Sequence, residues 1–227
     1  MVVALLLVAG SAGCAPDTTG EAKPPSPTAS EPATIGPTSA EPASIEPGTY
    51  RLPTSAWSVA DLAVTLPPGW TVQYGHVFAK HPDEDDELGF YPVTVDEIYT
   101  DACRGEGVPM KVGPLVDDLV DSLLEQRGPA TSRPVDTTVG GHPATRIDLK
   151  VPQRLDMEKC RLDGLGLQIW YSMPADKYFV LLPHAMASVY ILNVDGQRQV
   201  FVVQHGSATS DANRLELQSV LDSIRIG

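Results

Sequence analysis

The sequence predicts an α+β fold: a single domain with an antiparallel β-sheet and two main amphipathic helices, preceded by a disordered proline-rich spacer. Three observations predict it. Runs of strand and helix character follow in the order strands, helix, strands, helix, and most junctions are tight turns, which favours hairpins over parallel crossovers. Asp195-Gly196 lies between two long apolar runs and is the favoured pair for a two-residue type I′ hairpin. Nine of the 21 prolines fall between Ala15 and Ser55, which separates a non-globular front from a globular remainder. The expected division is 1–13 signal peptide, 14–55 lipobox cysteine and spacer, and 56–227 domain.

Residues 2–9, VVALLLVA, form an apolar run far short of the ~20 residues that a membrane-spanning helix needs, and of signal-peptide size. Gly10, Ser11, Ala12 and Gly13 then lead into Cys14. This resembles the lipobox of bacterial lipoproteins, in which small residues precede a cysteine that receives diacylglycerol. The resemblance implies that Cys14 is the lipidation site. Ser11 stands where that pattern has an aliphatic residue, and no Lys or Arg precedes it. A start placed downstream of a basic segment accounts for the second departure. The alternative is ordinary signal cleavage, which gives a secreted protein.

Three cysteines in an exported chain leave one over. With Cys14 acylated, Cys103 and Cys160 remain as a pair, expected to form a disulfide in an oxidising compartment. Chain entropy assigns such a loop about 4 kcal/mol. The alternative is two buried free thiols.

The spacer repeats a short unit, SEPATI at 30–35 and AEPASI at 40–45. Its Pro, Ser, Thr, Ala and Glu content buries too little apolar surface to offset the entropy of ordering, so it reads as an extended tether.

Within the domain, SVADLAVTL, TVQYGHVFAKH and LGFYPVTVDEIY read as strands, with a Pro-Pro-Gly reversal at 67–69 after the first. In VGPLVDDLVDSLLEQRG the period changes. Leu115, Val116, Leu119, Val120, Leu123 and Leu124 recur at helical spacing opposite four acids, with Pro114 suited to the first turn and Gly128 to the end. PVDTTV, a Gly140-Gly141 turn and HPATRIDLKV give the next hairpin. In GLQIWYS, alternation puts Leu167, Ile169 and Tyr171 on one face and Gln168, Trp170 and Ser172 on the other. Both faces of SVYILNV are apolar, as in a central strand covered on both sides. Ser210 then caps a last helix whose stripe is Leu217, Val220, Leu221 and Ile224.

The net charge is −13, and 13 acids face three bases between His81 and Arg127. Such a field repels phosphate backbones, so nucleic acid is not an expected partner. Within it, HPDEDDELG offers Asp83, Asp85 and Asp86 as candidate calcium ligands, although the spacing departs from the calcium loop D-x-[DN]-x-[DN]-G. None of the five histidines has a metal-ligand spacing, and His76 and His81, five apart on one run, read as surface or turn residues. No G-x-S-x-G, Walker or dinucleotide motif occurs, and QHGSA at 204–208 reads as a loop that places His205 near Ser207. No cofactor is expected. Trp70 and Trp170 are the candidates for lining a ligand groove, against core packing.

The early strand running into LPPGW, the run ILNVDGQRQVFVV and the closing LQSVLDSIRI resemble the PsbP-like domains of actinobacterial envelope lipoproteins of uncharacterised function. That resemblance implies a binding or accessory role and supplies no catalytic residues. The expectation is a monomeric, non-enzymatic protein anchored by its N-terminal lipid to the outer face of the bacterial membrane, meeting an envelope protein or a small ligand. The alternatives are a hydrolase without a recognisable motif and a structural envelope component.

Overall fold

The computed structural model describes residues 32–36, 41–82, 84–104, 109–162, 165–172 and 177–227. Cys14, the signal peptide and Asp83 lie outside them. In chain order the elements are Ala33–Thr34 (β1), Ala43–Ser44 (β2), Gly48–Leu52 (β3), Leu62–Leu66 (β4), Thr71–Gln73 (β5), Val77–Lys80 (β6), Leu88–Val93 (β7), Glu97–Ile98 (β8) and Met110–Lys111 (β9). Then come Val116–Glu125 (α1), Ala130–Thr131 (β10), Val135–Val139 (β11), His142–Lys150 (β12), Leu167–Ser172 (β13) and Lys177–Leu181 (β14). Ala185–Val194 (β15), Gln197–Gly206 (β16), Asp211–Asp222 (α2) and Arg225–Ile226 (β17) complete the chain.

The long hairpin β15–β16 lies at the centre of a nine-stranded sheet ordered β10-β12-β15-β16-β7-β6-β5-β2, with β11 also on β12. Asp195 and Gly196 both take positive φ, the type I′ turn that the sequence predicts. Because side chains alternate across a strand, this hairpin feeds two separate cores. Tyr190, Leu192, Phe201 and Val203 face one of them. Val189, Ile191, Val200 and Val202 face the other. The first core is closed by α2 and the small sheet β1-β3-β4-β17. The second is closed by α1 and the sheet β14-β13-β8-β9. The pairing is antiparallel throughout except β1 on β3 and one isolated bridge.

Both helices form where periodicity places them. In α1, Leu119, Val120 and Leu123 are buried, and the Leu115 N–H donates to the Asp118 carboxylate at 2.8 Å. Pro114 sits one residue before the N-cap rather than inside the first turn. In α2, the Ser210 hydroxyl accepts from the Asn213 N–H at 3.2 Å, and Leu217, Val220 and Leu221 are buried. Cys103 and Cys160 form a disulfide with their Cα atoms 4.5 Å apart.

The folded unit begins earlier than expected, at Pro32 rather than near residue 56. Each copy of the repeat lays down a two-residue edge strand and an isoleucine. Ile35 is buried, and Ile45 packs against the same core. β1 pairs with β3, and β2 covers β5. β3 pairs along its whole length with β4 and buries Leu52. Pairing across the chain thus supplies what the local composition lacks.

A second correction falls in TVQYGHVFAKH. Tyr74 and Gly75 both take positive φ, and the His76 N–H closes on Gln73 O at 3.2 Å, so the run is a hairpin rather than one strand. QHGSA is also no loop throughout, because β16 extends to Gly206. A chain starting at Pro32 should melt at the temperature of the full-length protein. One starting at residue 56 loses the burial of Ile35, Ile45 and Leu52, about 5 kcal/mol in all, and should unfold or aggregate. Thermal denaturation of the two truncations checks this.

Candidate functional site

The two tryptophans singled out in the sequence have different fates. Trp70 packs in the first core, and its indole N–H donates to Glu216 of α2 at 2.8 Å, where the Lys80 ammonium also binds at 2.8 Å. It lines no groove. Its ring and polar atom are both satisfied structurally. Trp170 is equally buried, in the second core, and stacks on Phe179 with ring centroids 4.4 Å apart. Its indole N–H has no hydrogen-bond partner among the described residues. A buried donor left unpaired costs about 1–3 kcal/mol.

The alternation read in β13 breaks at this point. The register between β13 and β14 shifts between Gln168 and Trp170, a bulge that lets Ile169 and Trp170 both enter the core. Trp170 thereby comes to line a cleft of about 340 Å³.

The rest of the cleft comes from distant parts of the chain. β7 contributes Tyr91 and Val93, and β14 contributes Tyr178 and Phe179. The β5–β6 turn contributes Tyr74 and His76, and the segment before β4 contributes Trp57. Trp57 stacks on His76 with centroids 3.6 Å apart and planes 18° from parallel. A second cleft of about 260 Å³ shares Trp57, Tyr74 and His76.

The segment carrying Trp57 is held by the buried side chain of Gln199 on β16. Gln199 Oε1 accepts from the Val59 N–H at 2.9 Å and the Ser58 hydroxyl at 3.1 Å. The Thr94 hydroxyl donates to Ala56 O at 2.9 Å. Ser172 Oγ lies 2.9 Å from the same Thr94 oxygen. Thr94 has one proton and gives it to Ala56, so Ser172 is the donor in that contact, and the Ser172 oxygen keeps its lone pairs.

Of the two sequence readings of His76, surface or turn, the structure has the turn, with the side chain buried. Its Nδ1 lies 3.0 Å from Tyr74 O, and a carbonyl can only accept, so Nδ1 carries the proton and Nε2 the lone pair. Burial lowers its pKa from 6.5 to about 4, against the smaller opposing effect of the Tyr74 bond. At neutral pH the ring is uncharged. Burial also pushes the Tyr91 hydroxyl far above its usual value, with the Glu87 charge adding to it.

The acidic loop lines a cleft of its own, about 320 Å³, in which Glu84, Asp85 and Glu87 meet His184 and Gln204. Its backbone is fastened to the end of β16, through the Gly206 N–H to Glu87 O at 3.0 Å and the Ala208 N–H to Asp85 O at 3.2 Å. The Asp86 carboxylate binds His81 Nδ1 at 2.9 Å and Asn213 at 3.4 Å. Among the described residues, no group of three or more His, Cys, Asp or Glu side chains could hold a metal ion. His205 Nδ1 lies 3.0 Å from Gly206 O.

Of the residues that line the cleft, the sequence reading singles out Trp170, takes His76 as a surface or turn residue, and passes over Trp57, Tyr74 and Tyr178. The signal for His76 was its place after a Tyr-Gly pair flanked by alternating apolar residues, which reads as a hairpin turn.

No family model matches the chain, and no curated protein matches it. Solved structures to which it is similar include LpqN of Mycobacterium tuberculosis, described as involved in cell envelope biogenesis. That chain is 11% identical, with 82% of this chain and 89% of that chain covered and a TM-score of 0.36. Another is the cyanobacterial PsbP of Synechocystis sp. PCC 6803, 10% identical, covering 80% of this chain and 94% of that chain with a TM-score of 0.35.

Between pH 6.5 and about 4 the unfolded chain binds a proton on His76 that the folded chain refuses. The stability that depends on neutral His76 is therefore complete above pH 6.5 and is lost as the pH falls toward 4, by about 3 kcal/mol in all. His76→Phe keeps a ring against Trp57 and cannot titrate. Chemical denaturation at pH 7 and pH 4.5 should show a smaller loss on acidification for this variant than for the wild type. An equal loss would contradict a buried, neutral His76.

Proposed function

We propose that the protein is a non-enzymatic binding protein of the bacterial envelope, tethered outside the membrane by a lipid on Cys14, and that its domain takes a small ligand in the aromatic cleft. The observation that carries the ligand site is the aromatic lining of the cleft, Trp57, Tyr74, Tyr91, Tyr178 and Phe179 together with Trp170, whose N–H has no hydrogen-bond partner among the described residues. Aromatic walls with a few polar groups between them are the usual construction of a small-molecule site. Tethering rests on the Ala12-Gly13-Cys14 pattern, and an extracytoplasmic position also on the Cys103–Cys160 disulfide, a bond of oxidising compartments.

Intact mass of the protein isolated from membranes should correspond to a chain beginning at Cys14 with a diacylglyceryl group, gaining a pair of hydrogens on reduction. An unmodified cysteine would refute the anchor. Native mass spectrometry after incubation with a low-molecular-mass envelope extract should show a retained adduct. The paired variant Tyr74→Asn/Tyr178→Ser should lose it, since both side chains line the cleft; both are about half exposed, and Asn tolerates the positive φ at position 74. No adduct, or equal retention by the variant, would refute the binding site.

A further inference from the structure

At one end of the large sheet, three neighbouring strands stop and the segments that flank them come together. β12 ends at Lys150, which is paired with Met186 near the start of β15. Beyond β12, the Leu155 N–H closes on Pro152 O at 3.0 Å, a turn with Gln153 and Arg154 at its corner. Val151 and Leu155, on either side of that corner, pack against the second core and anchor the turn. Before β15, the Ala185 N–H closes on Leu182 O at 3.1 Å, with Pro183 and His184 at the corner. β16 pairs with β15 and ends at Gly206, so Ser207 follows at the same end of the sheet. These segments line a cleft of about 630 Å³, to which Lys150, Arg154, His184 and Ser207 contribute polar groups and Pro183 and Met186 apolar surface. It shares no residue with the aromatic cleft.

The acids nearest these cations in sequence are already engaged. The Asp156 carboxylate binds the Lys159 ammonium at 2.7 Å. The Asp148 carboxylate accepts from the Ser188 hydroxyl at 2.7 Å and lies 3.4 Å from Arg146 Nε. Lys150 and Arg154 are exposed, and among the described residues neither side chain has an ion pair or hydrogen bond. Two unpaired cations therefore line one cleft of a protein whose net charge is −13. Distant charge is screened beyond about 8 Å at physiological salt, so these two set the local field.

Arg offers a planar fork of donors that matches phosphate, and Lys a point charge. Ser207 adds a hydroxyl donor, and His184 a ring N–H in either tautomer. A carboxylate would bring one negative charge. A phosphate monoester brings close to two at neutral pH, with three acceptor oxygens, and so answers both cations. Glu84, Asp85 and Glu87 line the neighbouring cleft, which shares Pro183, His184 and Ala185 with this one. They repel a second anionic group, so a single phosphate fits and a chain of them does not. An inorganic ion would fill little of the volume, whereas an organic body can lie against Met186 and Pro183.

We infer that this cleft binds a phosphate monoester group carried on an organic body, with Lys150 and Arg154 holding the phosphate. It is a second site, independent of the aromatic cleft.

Isothermal titration near neutral pH and at low ionic strength with butyl phosphate, and with pentanoate as the carboxylate counterpart, reads the assignment. Butyl phosphate should bind roughly tenfold tighter than pentanoate and should weaken as salt is raised. Lys150→Gln/Arg154→Gln should weaken it about tenfold or more with no change in melting temperature, because both side chains are exposed and unpaired. Tyr74→Asn/Tyr178→Ser should leave it unchanged, which separates this site from the aromatic cleft. Cosedimentation with vesicles containing phosphatidic acid distinguishes the source of the phosphate. Retention that the Lys150/Arg154 variant loses, without binding of butyl phosphate, supports the site with a lipid as the carrier. Equal affinity for pentanoate, equal binding by the Lys150/Arg154 variant, or binding of neither butyl phosphate nor the vesicles would overturn the inference.

Discussion

The β15–β16 hairpin is covered on both faces, and that constraint organises the molecule. A slip of one residue would exchange the side chains meant for one core with those meant for the other. Val189 and Val202 face each other across one side, and Tyr190 and Phe201 across the other. With the register fixed, α2 has one apolar surface to dock on and α1 another. The Asp195-Gly196 turn therefore sets the alignment of layers that it never touches.

The cleft follows from the same constraint. Gln199 is the polar residue that β16 buries, and it is placed by the hairpin register where it can grip residues 58 and 59. That grip brings Trp57 over His76, which in turn is buried by the Tyr74-Gly75 turn at the neighbouring edge. The β13 bulge delivers Trp170 from the opposite sheet. Four segments far apart in sequence thus meet at one aromatic surface. The two buried indoles differ in their hydrogen bonding. Trp70 is paired with Glu216, whereas Trp170 is unpaired among the described residues.

What could be read from the sequence was what depends on near neighbours. The type I′ turn at 195–196, the stripes of α1 and α2 and the Ser210 cap follow from local chemistry, and the cysteine pair from parity. The repeat units at 30–45 misled because their composition is that of a tether, while their order comes from pairing with β3 and β5. His76 is a turn residue, one of its two sequence readings, but its burial escaped notice because an uninterrupted strand was read through the Tyr74-Gly75 turn. Trp57 carried no signal at all, since its position is set by a glutamine about 140 residues away. The Trp170 assignment came from strict alternation, and the bulge put both it and Ile169 in the core.

The central claim is that the Trp57–His76–Trp170 cleft is the working surface of the domain. The three indole N–H resonances of the chain report on it separately, and each can be assigned by substitution. During titration with a low-molecular-mass envelope extract, the account predicts that the Trp57 and Trp170 resonances shift while the Trp70 resonance, held by Glu216, stays in place. Shifts at Trp70 with none at Trp170, or no shift at any of the three, would contradict it.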